Sequence, residues 1–397
     1  MIEADHWLTK NRIQSYPYIF LGIYALVAIY WFYNSNGYFD MRGHPLGTDF
    51  TSFYAAAKLA LEGNAFNAYD FTNHFAMQQD ILGSEHSQYY SFSYPPTFLL
   101  ILLPFGSMPY FMALFSWLSL TLIFFITMIR KITGRKESIL LTLAFPAVFL
   151  TIGHGQNAFL TAGLMAGGLY YLDRKPLFAG IFIGLLSFKP HLGLLIPIIL
   201  IISAHWKVFF YAVATTISFV VLSWLAFGNE TWTAFVQSTA ETQNTLNNGL
   251  VSLYKMQSLF ASLRYSGASI FTAYAGHIIF SLITVATVIW VWVQKISIDL
   301  KNASLCIGTL LITPFLLDYD LTILAIPIAY LTVYGLNNKL THSFRTILCF
   351  IWVAPLILRS LNLYLPIPWT PILLSIVLYQ IVMTCYEQSV EQQLSHD

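Results

Sequence analysis

Long apolar runs separated by short polar knots dominate the chain. The runs cover 16–33, 94–107, 109–129, 138–152, 156–172, 176–188, 191–203, 207–227, 268–293, 302–317, 319–335, 344–361 and 367–386. Within each run the apolar residues are continuous rather than alternating. Only helices and closed barrels satisfy the backbone in lipid, and continuous apolar runs fit helices. The pattern therefore predicts an all-α, polytopic membrane protein, organised as one domain over 1–397. The run at 94–107, "YPPTFLLILLPFGS", is short and carries Pro95, Pro96 and Pro104. If it dips into the membrane and returns, about 12 transmembrane helices remain, although several runs fall below the ~20 residues that a span needs.

Basic residues choose between the two topologies, because cytoplasmic loops are enriched in Lys and Arg. With 94–107 re-entrant and the N-terminus inside, only Arg42, Lys58, Lys189, Lys255, Arg264 and Arg359 of the 19 basic residues fall outside. If 94–107 crossed fully, every inner basic residue except Lys10 and Arg12 would move outward. The first arrangement places both termini in the cytoplasm. It leaves two long outer segments, 34–108 with the re-entrant run and 228–267. The first apolar run follows Lys10 and Arg12 but lacks an A-x-A cleavage pattern, so it reads as a retained span.

Within the first outer segment, 48–62 has helical spacing. Thr48 is a candidate N-cap, Gly63 a candidate C′ residue, and Phe50, Phe53, Tyr54, Ala57 and Leu61 form one apolar face. This reads as a helix lying on the membrane surface. The stretch 251–265 has a similar face in Leu253, Met256, Leu259, Phe260 and Leu263.

Composition strengthens the membrane reading: 57% of residues are hydrophobic and only 9% charged, against about 25% charged in soluble domains. The net charge of +1 gives no sign of a nucleic-acid partner. Cys306, Cys349 and Cys385 lie inside apolar runs with no CxxC spacing, as packing residues would.

The polar knots with chemical potential all fall on the outer side. Asp49 stands in the first turn of the 48–62 helix, where the helix N-terminus favours a carboxylate. It reads either as a stabilising first-turn acid or as a general base at the water–lipid boundary. Lys189 and His191 flank Pro190 between two short runs. Lys189 either snorkels or, held inside the protein, faces a phosphate. In "GHGQN" (153–157), His154, Gln156 and Asn157 are candidates for sugar hydroxyls or a phosphate, against a plain polar loop. "LDYD" places Asp318, Tyr319 and Asp320 between two apolar runs, where hydroxyls, a base or a metal are open alternatives. Acid pairs without further ligands are weak metal sites, and neither a metal nor a cofactor is expected.

Four stretches appear in order: "TDFTSFYAAAKLALEGNAFNAYD", "FSYPPTFLLILLPFGSMP", "GQNAFLTAGLMAGGLYYLDRKPLFAGIFIGLLSFKPHLGLLIPIIL" and "TPFLLDYDLTILAIPI". Together they resemble glycosyltransferase family 87, of the GT-C superfamily, over about residues 45–335. The resemblance implies an enzyme that takes a sugar, mannose in the best-known case, from a polyprenyl-phosphate donor. It would pass the sugar to a lipid- or glycan-linked acceptor at the outer face of a bacterial plasma membrane. By resemblance Asp49 is the catalytic acid, and Lys189 lies near the donor phosphate with His191, Arg264 and His154 as further candidates. Tyr54, Tyr94, Gln156, Asn157, Asp318, Tyr319 and Asp320 are candidate substrate contacts. One branch of the family has histidines where Asp318, Tyr319 and Asp320 stand here. Membrane lipids are the other expected partners. A flippase of lipid-linked sugars, an envelope-polymer polymerase and a non-enzymatic scaffold are the competing classes. A flippase would place ionisable groups on both faces and at mid-membrane.

Overall fold

The computed structural model describes residues 9–83, 87–247, 252–338 and 340–394. Positions 84–86 and 248–251 of the two outer segments, and Lys339 among the inner basic residues, lie outside the described residues. Regular structure among the described residues is helical, with no strand. In chain order the helices are α1 (Lys10–Tyr33), α2 (Thr48–Leu61), α3 (Phe71–Leu82), α4 (Pro96–Gly106), α5 (Tyr110–Thr133) and α6 (Glu137–Leu143). Then come α7 (Pro146–His154), α8 (Ala158–Tyr171), α9 (Pro176–Leu185), α10 (Leu195–Ile202), α11 (Trp206–Asn247) and α12 (Leu259–Tyr265). The chain ends with α13 (Ile270–Val293), α14 (Ile298–Ile312), α15 (Ala325–Asn337), α16 (His342–Tyr364) and α17 (Trp369–Leu394).

Seven helical segments among the described residues are long and apolar enough to cross a membrane. They are α1, α5, α11, α13, α16, α17 and the Asp318–Asn337 stretch that ends in α15. The pair α6–α7, bent by 52°, would make an eighth. Its bend has a local cause: Phe145 precedes Pro146 and takes the extended backbone that a following proline favours. The other expected spans are shorter helices. α8 has 14 residues, α9 has 10, α10 has 8 and α14 has 15. At 1.5 Å per residue none reaches the roughly 30 Å of a hydrocarbon core. About twelve crossings would therefore need these short helices to cross with the help of their flanking turns.

Three further expectations change. First, α2 does not present one apolar face. Phe50 through Ala57 are all buried, Thr51 and Ser52 included. Small residues on its far side allow close approach: a Cβ on Gly106 of α4 would sit 2.9 Å from that of Ala57. Second, the N-cap position of α2 is Gly47, with φ +74°, and Thr48 is already helical, so its hydroxyl is free for a tertiary contact. At the other end Gly63 does take the left-handed C′ conformation, φ +78°. Third, helix α11 runs 20 residues beyond the expected boundary at 227, past one break at Gly228 (φ 76°, ψ 175°). The amphipathic 251–265 stretch divides into a 3-10 turn at Leu253–Lys255 and the short α12, which Ser258 caps by accepting from Ala261 N.

The core lies where α2, α4, α5, α8 and the end of α9 meet. Phe98 stacks on Phe188 at 4.9 Å, and Phe53 meets Tyr94 and Phe98 edge-on. A neutral histidine ties α3 to this core. His74 is buried, which pushes its pKa down to about 4. Its Nε2 donates to the Ser52 carbonyl at 3.1 Å. Elsewhere α9 lies against α11 through Gly180 and Gly184, one turn apart. A Cβ on Gly184 would stand 2.6 Å from Thr215 Cβ and 2.7 Å from the Ala212 carbonyl oxygen. Small residues at this spacing let apolar helices approach to backbone contact. Gly184→Leu should therefore separate α9 from α11 and destabilise the protein by at least about 1–3 kcal/mol. Thermal unfolding in detergent would show a lowered midpoint, and an unchanged midpoint would contradict this packing.

Candidate active site

Two glycine turns bring the site together. Gly155, with φ +64°, ends α7, and a Cβ there would lie 2.6 Å from Phe50 Cβ and 3.2 Å from the Gly47 carbonyl oxygen. Only a bare backbone allows the Gly47 and Gly155 turns to touch, and each also needs the left-handed conformation that glycine adopts without strain. The contact sets the first turn of α2 beside the residue after Gly155. There Gln156 Nε2 donates to Asp49 Oδ2 at 3.0 Å. The Gln156 amide is oriented from its other side, because Oε1 accepts from Asn157 N at 3.0 Å and from the Tyr94 hydroxyl at 3.4 Å.

From Asn157 the network continues inward. Lys189 Nζ donates to Asn157 Oδ1 at 3.2 Å and pairs with Asp320 Oδ1 at 2.5 Å. Lys189 occupies the break between α9 and α10, where Pro190 follows it and the chain makes two short 3-10 turns. The side chain is only 4% exposed, so it does not snorkel. Asp318, Tyr319 and Asp320 are not an exposed outer turn either. All three are buried, at the start of the 3-10 segment Asp318–Leu324. Backbone donors fix both carboxylates: Leu317 N to Asp320 at 3.1 Å and Tyr319 N to Asp318 at 2.9 Å. A strap ahead of α12 covers this turn. Gln257 N donates to the Leu316 carbonyl at 2.7 Å and Ser258 Oγ to the Pro314 carbonyl at 2.6 Å.

A second chain of contacts runs beside the first. Arg359, near the end of α16, donates through Nη1 to Asp318 Oδ2 at 3.0 Å and lies 3.4 Å from His154 Nε2. Arginine only donates, so in the neutral form of His154 it is Nε2 that accepts, and the other ring nitrogen then carries the proton. That nitrogen, Nδ1, is 3.0 Å from Thr48 Oγ1. The Tyr319 ring lies between the two chains, 5.2 Å from Lys189 Nζ and 6.2 Å from the His154 ring.

The charges divide unevenly. Asp318 and Asp320 each hold a cation, whereas among the described residues Asp49 is held by the neutral Gln156 amide alone. Asp49 is half-buried at the rim of this network. Burial raises its pKa, partly offset by nearby His154 and by the Gln156 hydrogen bond, while Asp318 raises it further and Lys255 lowers it. A carboxylate with a raised pKa and one uncommitted oxygen is suited to taking a proton.

The network thus joins Asp49, Tyr94, His154, Gln156, Asn157, Lys189, Asp318, Tyr319 and Asp320. Three candidates stand apart from it. Tyr54 gives its hydroxyl to the Met108 carbonyl at 2.6 Å, inside the core. His191 is half-buried and makes no hydrogen bond to the network. Arg264 donates to the Ala268 carbonyl at 2.8 Å. Sequence reasoning missed Arg359 and Thr48. The available signal was an arginine inside the apolar run 344–361, since ionisable residues at membrane depth are functional candidates by default. Among the described residues no three His, Cys, Asp or Glu side chains are grouped to hold a metal. An apolar groove of about 430 Å³ opens between α13 and α17, lined by Leu259, Phe280, Pro368, Pro371, Ile372 and Ile376 among others.

The sequence model of glycosyltransferase family 87 matches residues 92–314. The matched segment contains Tyr94, His154, Gln156, Asn157 and Lys189. Asp49, Asp318, Asp320 and Arg359 lie beyond its ends. No curated protein and no solved structure matches the chain.

The Lys189–Asp320 pair can be tested separately from any activity. Lys189→Met leaves a buried carboxylate without its cation and should cost about 3–5 kcal/mol. Adding Asp320→Asn removes the stranded charge and should restore much of that loss. Equal thermal midpoints for Lys189→Met and wild type would show that the pair does not hold the fold.

Proposed function

Since the chain belongs to glycosyltransferase family 87, we propose that it is an inverting glycosyltransferase that uses a polyprenyl-phosphate hexose. Mannose is the sugar to test first. The acceptor is a hydroxyl of a lipid or glycan at the outer face of a bacterial plasma membrane. The observation that carries this reading is the division of charge: of the three acids in the network, Asp49 alone makes no ion pair among the described residues. The distribution of basic residues supports the sidedness, with both termini cytoplasmic. About twelve crossings follow if each short helix completes a span with its flanking turns. The apolar groove beside α12 supports a substrate with a long hydrocarbon chain.

In this mechanism Asp49 Oδ1, which accepts no hydrogen bond among the described residues, takes the proton of the acceptor hydroxyl. Gln156 keeps the carboxylate turned toward that proton. The acceptor oxygen bonds to the anomeric carbon as the bond from that carbon to the phosphate oxygen breaks. Configuration inverts, and the electron pair leaves with polyprenyl phosphate. The phosphate goes from one negative charge to two, so fixed cations at the site lower the barrier. A leaving group this good does not require a metal, and transfer should persist in excess chelator.

Membranes containing the protein and labelled polyprenyl-phosphate mannose test the proposal. Wild type should transfer label, and Asp49→Asn should reduce transfer by at least about 10²-fold. Equal transfer by both would remove Asp49 from the mechanism. The pH profile should fall on the acid side as Asp49 protonates, with its limb above the ordinary carboxylate value of 3.8, because burial raises this group. The stability consequence has the opposite sign. Folding favours the protonated form, so the favourable contribution is present at low pH and is lost as pH rises through the raised pKa. Near neutral pH, Asp49→Asn should therefore unfold no earlier than wild type while losing activity. An earlier midpoint would mark Asp49 as a structural acid instead.

A further inference from the structure

We infer that Arg359, rather than Lys189, is the residue that binds the donor's phosphate and receives its charge as the sugar leaves. This rests on the polyprenyl-phosphate reading above. Lys189 is enclosed: its ammonium is held by Asp320 and Asn157, faces the Tyr319 ring, and is 4% exposed. A phosphate could reach it only by displacing those partners. Arg359 is differently placed. Its side chain is 31% exposed. Nη1 makes its hydrogen bonds to Asp318 and His154, while Nε and Nη2 have no hydrogen-bond partner among the described residues. The guanidinium also stands over the Tyr254 ring at 5.9 Å, on the strap that leads to α12. Asp318 and His154 thus fix one edge of a planar fork and leave the other edge free, and such a fork matches two phosphate oxygens at once.

The relation of Arg359 to the base adds a geometric reason. His154 hydrogen-bonds both Arg359 and Thr48, and Thr48 immediately precedes Asp49. The guanidinium and the carboxylate therefore stand at opposite ends of one short chain of contacts. A sugar lying along that chain would meet its acceptor at the Asp49 end and leave its phosphate at the Arg359 end. That is the in-line order an inverting displacement needs. Lys255, on the turn before α12, is the competing cation: it reaches the electrostatic field of Asp49 and has no carboxylate partner among the described residues. It lacks both the fork and the anchoring carboxylate.

The experiment uses the full-length protein in lipid nanodiscs with farnesyl phosphate as probe, and farnesol and inorganic phosphate as controls. Wild type should bind farnesyl phosphate more tightly than either control, which separates a lipid phosphate from free phosphate and from the chain alone. Arg359→Gln should weaken farnesyl phosphate by about ten- to a hundredfold, the range for hydrogen bonds to a charged group, and leave farnesol unchanged. Lys255→Gln should have a smaller effect. Equal affinity of wild type and Arg359→Gln would overturn the assignment while leaving the donor reading intact. A loss confined to Lys255→Gln would move the phosphate to Lys255 and overturn it too. Failure of wild type to bind farnesyl phosphate would remove the donor class and this assignment with it. Should Arg359→Gln not fold, Arg359→Lys keeps the charge but loses the fork, and undiminished affinity in that variant would overturn the inference.

Discussion

The buried pair between Lys189 and Asp320 is the constraint on which the rest of the site depends. Two charges removed from water stabilise a structure only when they meet each other and fill their remaining hydrogen-bonding capacity. Here both conditions are met by parts of the chain that are far apart in sequence. The ammonium takes Asn157 as well, and the carboxylate takes the Leu317 backbone. The break between α9 and α10, the turn after α7 and the 3-10 segment before α15 must therefore all adopt their places together. The active-site frame is a consequence of satisfying one buried ion pair.

Two of the network's acids are matched by cations within that frame, and the third is not. Asp320 is matched by Lys189 and Asp318 by Arg359, so neither carboxylate is free to take up a proton without stranding its cation. Asp49 lies at the edge of the same network, fixed by an amide that carries no charge. A neutral donor orients the carboxylate and lowers its basicity less than a paired cation would. The three acids of the network thus differ in their partners: two hold cations, and Asp49 holds an amide.

Short, broken helices are what make such a frame possible inside an apolar helical core. A straight helix satisfies its own backbone and offers side chains only from its surface. Breaks at Pro146, Pro190 and the 318–324 turn point backbone groups and side chains into the interior, where irregular backbone is tolerated only if protein surrounds it. The burial of α2 follows the same logic. The helix carrying Asp49 is held by its neighbours α3, α4 and α5, through His74, Gly106 and the Tyr110 hydroxyl, which meets Thr51 at 2.9 Å.

Much of this was legible in the chain itself. Continuous apolar runs determine helices because lipid permits little else, and isolated polar knots between them marked Asp49, His154, Gln156, Asn157, Lys189, Asp318 and Asp320 before any coordinates. Those properties are local, set by composition and by the backbone preferences of proline and glycine. Helix length was less legible, since an apolar run does not reveal where packing will break it: 176–203 reads as two spans yet forms two short helices around a buried lysine. Pairing was not legible at all. Which acid meets Lys189, which meets Arg359 and which is held by an amide instead depends on contacts between residues 41 to 131 positions apart. Sequence patterns report a residue's own periodicity and neighbours. Only the tertiary structure brings distant charges within a few ångströms, and that proximity decides which carboxylates are paired with cations.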